Sequence, residues 1–194
     1  ASNYGGVLRA VLEAGTAKGQ DLKSWHHKAR PDSLVTWVES HDTYCNQHES
    51  ARLTDQQIRT AWVFLTSRSG GTPLFFSRPA GSTRENYWGN NLVGPRGNDE
   101  FFHPEVVAAN RFRHAMAGQP ENITTTDNGT VAMVARGDAG LTLVNFSNAA
   151  RKVKMATTLP DGIYTDAVHG TQFKVKKGIL SATVQPLTSY IIYR

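Results

Sequence analysis

Two short apolar runs without hydrophobic alternation, residues 34–38 (Leu-Val-Thr-Trp-Val) and 72–76 (Thr-Pro-Leu-Phe-Phe), constrain this chain most. A strand with one wet face alternates apolar and polar residues, whereas a continuous apolar run suits a strand buried on both faces in a parallel sheet. Between the two runs a helix is written with an explicit start. Thr54 and Gln57 have capping-box spacing, Ile58, Ala61, Trp62 and Leu65 then recur at helical intervals, and Gly70-Gly71 stops the pattern. Strand, helix and strand in that order make one right-handed crossover unit.

Chemistry gathers where the first run ends. Glu39, Ser40, His41 and Asp42 are four polar groups in succession, and the carboxyl end of a parallel strand is where α/β folds collect functional groups. If alternation continues, Glu39 points away from Asp42, so it is not expected to share a cleft with it. Ser40 shares the facing of Asp42, but no His and Asp set stands at a spacing that would make it a nucleophile. Trp37-Val38-Glu39-Ser40-His41-Asp42-Thr43-Tyr44, followed by Gly71-Thr72-Pro73-Leu74-Phe75-Phe76-Ser77-Arg78-Pro79, resembles the seventh and eighth barrel strands of secreted bacterial α-amylases. The resemblance extends to the Tyr4-Gly5 opening, Met116-Ala117-Gly118-Gln119-Pro120 and Leu159-Pro160-Asp161-Gly162. It implies that Asp42 is one of three catalytic-site carboxylates, with His41 as its substrate-binding neighbour and Tyr44 beside them. Cys45 and Gln47-His48 depart from the family's common residues at these places.

The remaining elements follow from spacing and punctuation. Val7, Leu8, Val11 and Leu12 predict a helix over about 4–14 that ends before Gly15 and Gly19. Trp25-His26-His27 reads as a loop anchored by the tryptophan, because adjacent histidines cannot both face one ion from a regular element. The 77–102 segment, rich in Gly, Asn and Arg, is long enough to be a functional loop. Within it Tyr87, Trp88 and Asn90 are types that stack on or hydrogen-bond to sugar rings, and Arg78 and Arg96 suit either ligand contact or bracing of the loop. Trp88 and Arg78 are therefore candidate substrate-binding residues. Pro104 opens a third helix reaching about residue 117, stopped by Gly118 and Pro120.

From Thr130 onward the grammar changes to short β-rich runs separated by turn signals: 131–135, 141–146, 152–156, 163–165, 172–175, 179–184 and 189–193. These predict a small antiparallel sandwich, resembling the C-terminal β domain that follows the barrel in α-amylases. The expected fold class is thus α/β plus all-β: the last strands and helices of a (β/α)8 barrel over 1–118, then a β-sandwich over 119–194 able to fold alone.

Composition narrows the partners. Lys and Arg outnumber Asp and Glu to give a net charge of +5, but the basic residues are scattered apart from Lys174, Lys176 and Lys177, which reads as a solvated surface and not a nucleic-acid site. Cys45 is the one cysteine, so no internal disulfide framework exists, and its default role is a small apolar filler. No apolar run reaches transmembrane length, no N-terminal signal pattern is visible, and secretion is implied by the family alone. Asn122, Asn128 and Asn145 begin glycosylation-type tripeptides, a pattern short enough to arise by chance.

A (β/α)8 barrel needs eight strand and helix pairs in about 250 residues, and two such strands are found here. Retaining glycosidases place a nucleophilic carboxylate and an acid/base carboxylate about 5 Å apart. By the resemblance both lie on earlier strands and are absent here, as are the family's usual calcium ligands; calcium belongs to the full-length family enzyme, and no metal ligand is identified in this chain. The implied activity is endo-hydrolysis of α-1,4-glucosidic linkages in starch or maltooligosaccharides by an assembly that includes an N-terminal barrel segment. The competing reading is a non-catalytic starch-binding or interaction module derived from an amylase.

Overall fold

The computed structural model describes residues 2–90 and 96–194, so positions 91–95 of the long loop lie outside the described residues. Helix α1 (Ser2–Ala14) buries Tyr4, Leu8, Val11 and Leu12. It lies against the chain at Trp37, whose carbonyl oxygen would stand 2.2 Å from any Cβ added to Gly5, so only glycine permits that approach. A short helix α2 (Gly19–Lys23) follows, and the Trp25-His26-His27 loop is held as expected. The Trp25 ring lies 4.8 Å from Tyr4, and the Arg68 guanidinium sits 3.8 Å above Trp25.

Strands β1 (Val35–Thr36) and β2 (Thr72–Pro73) pair in parallel, Val35 opposite Thr72, with helix α3 (Asp55–Ser67) between them in sequence. The crossover unit is therefore present, but both strands are much shorter than the runs that announce them. Among the described residues the parallel pairing stops at two strands, and Val35 and Leu74 stay about half exposed. An apolar run extends as a strand only while neighbours hydrogen-bond along its length. Helix α3 begins with the capping box read from the sequence, Thr54 accepting from the Gln57 backbone and Gln57 reaching back to Thr54. Helix α4 (Pro104–Ala115) starts at its proline.

Eight antiparallel strands complete the fold. β3 (Glu121–Thr125), β4 (Val131–Arg136), β5 (Gly140–Asn145) and β10 (Ser189–Tyr193) form one sheet in the order β10-β5-β4-β3. β6 (Arg151–Ala156), β7 (Gly162–Thr165), β8 (Gln172–Lys176) and β9 (Ile179–Val184) form the second, ordered β6-β9-β8-β7. All seven β-rich runs of the sequence appear. β3 is the addition: Glu-Asn-Ile-Thr-Thr has one apolar residue, and its pairing with β4 rather than its own pattern makes it a strand.

The two sheets differ in what covers them. Along β6 and β8 buried and exposed residues alternate, so the second sheet has one wet face. β4 and β5 are buried at every position. On one side of the first sheet Val131, Met133, Leu141, Leu143, Tyr190 and Ile192 meet Val153, Phe173, Val175 and Leu180 of the second sheet. On the other side Ile123, Val134, Val144, Phe146 and Ile191 pack with α1, α3 and α4 through Leu8, Phe64, Val106 and Phe112. The order of layers is helices, sheet, sheet. Asn145, read as a glycosylation candidate, is sealed between them, its amide donating to the Ala149 and Gln185 carbonyls at 2.8 Å each, so it is closed to modification.

Residues 119–194 thus own one complete core and half of another. Expressed alone, this piece should still melt cooperatively by circular dichroism, while the uncovered Val134, Phe146 and Ile191 make it bind a hydrophobic dye and self-associate. Replacing those three by Thr, Ser and Thr should abolish dye binding. A non-cooperative melt would mean that the second core cannot hold the sandwich without the helices.

Candidate functional site

The chain leaves β1 at Thr36 and runs to His41, where Asp42–Asn46 forms a single wide helical turn. Ser40 and Thr43 bind each other reciprocally: the Ser40 N–H donates to Thr43 Oγ1 at 2.9 Å, and Thr43 Oγ1 donates back to the Ser40 carbonyl at 3.2 Å. The Tyr44 N–H reaches the Ser40 carbonyl at 2.9 Å and the Gln47 N–H reaches that of Asp42 at 2.7 Å. These bonds place Thr43, Tyr44 and Cys45 inward and leave His41 and Asp42 outward, their side chains 65% and 55% exposed. Strand alternation does not set this facing, because the strand ends six residues before Asp42.

His41 Nε2 stands 3.4 Å from Asp42 Oδ1, and Asn46 Nδ2 donates to the same oxygen at 2.8 Å. The sequence reading brought His41 and Asp42 together but missed Asn46, whose i to i+4 offset from Asp42 on a helical turn is the signal that finds it. With 55% of its side chain exposed, the carboxylate can still accept hydrogen bonds from a polyol.

Behind this pair the site is held by a buried cation. Arg78 forms two bonds to Glu39, both 2.9 Å, a third to the Leu53 carbonyl at 2.9 Å and a longer one to Asp55 at 3.3 Å. Its guanidinium also lies 4.4 Å from the centre of the Tyr44 ring. Burial pulls the Arg78 pKa down, but the hydrogen bonds and charge of Glu39 outweigh it and leave the group above its ordinary value. Of the two roles open to Arg78 in the sequence, the structure has it bracing the loop, with its donors spent inside the protein. Glu39 is almost fully buried in that grip. Glu39 is thus buried and held by Arg78, whereas Asp42 is exposed, in an irregular segment where strand alternation does not apply.

Tyr44 is buried, with its hydroxyl 3.1 Å from Ser82 Oγ and its ring edge-on to Tyr87 at 5.6 Å. Tyr87 is in turn stacked on His48 at 4.0 Å, so it belongs to the packing of the loop. His48 itself, with a φ of 60° and its Nε2 2.9 Å from the Cys45 carbonyl, is a residue whose part in the site spacing could not show. Burial, then the charge of Glu39, push the Cys45 thiol up, which fits an inert filler. Trp88 and Phe102 are exposed aromatics of this segment, at 45% and 61%, Asn90 is also exposed, and Arg96 pairs with Asp99 at 3.0 Å on the surface.

Among the described residues no group of three or more His, Cys, Asp and Glu side chains converges as a metal site. Calcium takes six to eight oxygens in a shell about 2.3–2.6 Å in radius, and the carboxylates here are separately engaged: Glu39 by Arg78, Glu49 by Arg9, and Glu100 and Glu105 by Arg59. Among the described residues these carboxylates are not arranged as a shell for the family's calcium.

No protein-family model matches the chain. Over 95% of its length it is 37% identical to an α-amylase of Butyrivibrio fibrisolvens, and over its whole length 33% identical to an α-amylase of Clostridium acetobutylicum. The chain spans only 21% and 24% of those two proteins. Among solved structures, α-amylase I of Eisenia fetida superposes with a TM-score of 0.73 at 14% identity, covering 99% of this chain and 48% of the other. The E249Q variant of that enzyme in complex with maltohexaose gives a TM-score of 0.62 at 17% identity over 99% of this chain and 47% of that one. At such identities these neighbours speak to the fold alone, and the sequence relatives carry the family. The chain belongs to the α-amylase family as a part-length, C-terminal portion.

Proposed function

We propose that this chain supplies the transition-state-stabilising carboxylate, Asp42, and its partner His41 to an assembled α-amylase that cleaves α-1,4-glucosidic linkages of starch and maltooligosaccharides with retention. The observation that carries this reading is the pair itself: two adjacent polar groups, 3.4 Å apart and open to solvent, on a turn braced from behind by Arg78 and Glu39. In retaining hydrolysis one carboxylate attacks the anomeric carbon while a second group protonates the departing oxygen, and positive charge develops on the sugar ring between them. Asp42 has neither task. Its carboxylate accepts hydrogen bonds from ring hydroxyls that shorten as the ring flattens, and its charge favours the developing cation.

The nucleophile and proton donor come, in this reading, from an N-terminal barrel segment of the same enzyme. Glu39 cannot replace either, being buried and held twice by Arg78. We assign 1–118 to the end of the catalytic (β/α)8 barrel and 119–194 to the following β-sandwich domain, with β1 and β2 as barrel strands seven and eight. Trp88, exposed in the loop after β2, offers its face to a sugar ring, whereas Tyr44 and Arg78 act on substrate through the position they give His41 and Asp42. The enzyme is secreted, as its family resemblance implies.

Arg78→Ala should cost about 3–5 kcal/mol of stability, read as a lowered denaturation midpoint, because it strands Glu39 as an uncompensated buried charge. Arg78→Ala combined with Glu39→Gln should recover part of that loss. In a longer chain that carries the earlier barrel strands, Asp42→Asn should lower kcat on soluble starch about 10²-fold or more with the fold intact, and His41→Ala should cost about 0.5–1.5 kcal/mol of transition-state binding. The 194-residue chain by itself should release no reducing sugar from starch until that N-terminal segment is added. Near wild-type turnover by the Asp42→Asn enzyme would remove the proposed role from Asp42.

A further inference from the structure

The wet face of the second sheet gathers charges that the sequence disperses. Strand register places Lys154, Ser181, Lys174 and Ile163 in one row across β6, β9, β8 and β7. Lys152 and Thr183 lie in the row on one side, with Gln172 and Thr165, and Ala156, Ile179 and Lys176 lie in the row on the other. Lys152 and Lys154 come from a run some twenty residues upstream of Lys174 and Lys176, and only the interposed β9 makes the four neighbours. All four are exposed, and none is paired with a carboxylate among the ion pairs of the described residues.

The four strands contain no Asp or Glu. At the rim Asp161 accepts from Lys177 N–H at 2.8 Å and Gly178 N–H at 3.1 Å, and its charge also feels that of Lys176 without forming an ion pair with it. Ser181 and Thr183 of the central strand are small, so a shallow open trough of roughly 700 Å³ runs between the lysines of β6 and the strand β8. Two large apolar side chains stand on the same face, Ile163 at 69% and Ile179 at 39% exposure.

We propose that this face docks on a lipid bilayer surface bearing anionic headgroups. Compact ammonium groups on flexible stems suit phosphate-rich headgroups as point charges, and a flat sheet presents all of them to a plane at once. The isoleucines decide between polyanions. A soluble polyanion has no use for exposed Ile163 and Ile179, and single-stranded nucleic acid would be met by stacking aromatics, which this face lacks. An interface that takes charge at the headgroups and apolar side chains just beneath uses both kinds of residue. The face lies on the opposite side of the layer stack from α1, α3 and α4, so docking does not depend on the hydrolytic role proposed for Asp42.

The test is co-sedimentation of the 194-residue chain with phosphatidylcholine vesicles and with vesicles containing phosphatidylglycerol, at low and high salt. Binding should require phosphatidylglycerol and fall as salt rises, since exposed charges are screened within about 10 Å at 0.1 M. Each lysine removed should weaken it about fivefold, so Lys154→Ser with Lys174→Ser should weaken it about twenty-fivefold, with the circular dichroism spectrum unchanged. Ile163→Ser, which keeps every charge, should also weaken binding. Equal binding to phosphatidylcholine, or indifference to the lysine pair, would overturn the proposal. So would binding that is unaffected by Ile163→Ser and is competed away by soluble polyphosphate, an outcome that identifies a soluble polyanion as the ligand.

Discussion

A sheet that must be apolar on both faces is the constraint on which this structure depends. Strands β4 and β5 offer no side to water: Val131 and Met133 belong to one core, Ala132 and Val134 to the other. At roughly 25 cal/mol per Å² of apolar surface, covering only one face of such a sheet would leave the other as a liability comparable in size to the core it completes. The helices are therefore the second wall of the sheet as much as they are a unit of their own. Gly140 shows how close that wall stands, since an added Cβ would meet the ring of Phe112 in α4 at 2.9 Å and Tyr193 Cβ at 2.7 Å.

Pressing helices onto a sheet buries their ends, and the last carbonyls of a helix have no partner within it. At the carboxyl end of α3 arginines solve this problem. Arg136 of β4 donates to the Ser67 carbonyl at 3.0 Å and to the Met116 carbonyl beyond α4 at 2.9 Å. Arg113 of α4 reaches the carbonyls of Thr66, Arg68 and Gly71. Arg68 pairs with Glu121 of β3 at 3.0 Å while lying across Trp25 and Tyr4. Burial draws the pKa of both Arg113 and Arg136 down, with Glu121 pulling the other way. The planar fork of arginine can serve two or three carbonyls at once, which a lysine could not. Through these contacts the helix that follows the candidate site is tied to the β layers at one end, and by Asp55 to Arg78 at the other.

How much of this was legible depended on whether a residue's role is local. The capping box at Thr54, the proline start of α4 and the seven alternating or β-branched runs were legible because each is set by neighbours within a few residues. Runs 34–38 and 72–76 were legible as strands in kind but not in length, since ladder length belongs to partners and not to the run. β3 was invisible because Ile123 is its one apolar residue. At the site, His41 and Asp42 were found from their position after a strand, while the grip of Arg78 on Glu39, across 39 residues, was not. The wide turn at 42–46, which replaces strand alternation and aims Asp42 outward, has no local signature comparable to a cap or a glycine.

The same turn explains why the proposed role of Asp42 requires a larger assembly. A carboxylate stabilises developing positive charge strongly only where water is excluded, because the interaction scales inversely with the local dielectric constant. Asp42 is fixed by Asn46 and carried on a buried platform, so its position is already determined, yet more than half of its side chain faces solvent. What this chain contributes is orientation. The dry surroundings that make orientation worth several kcal/mol have to be closed over it by other strands and by the substrate. In the proposed reading, enclosing Asp42 is what gives its charge catalytic value.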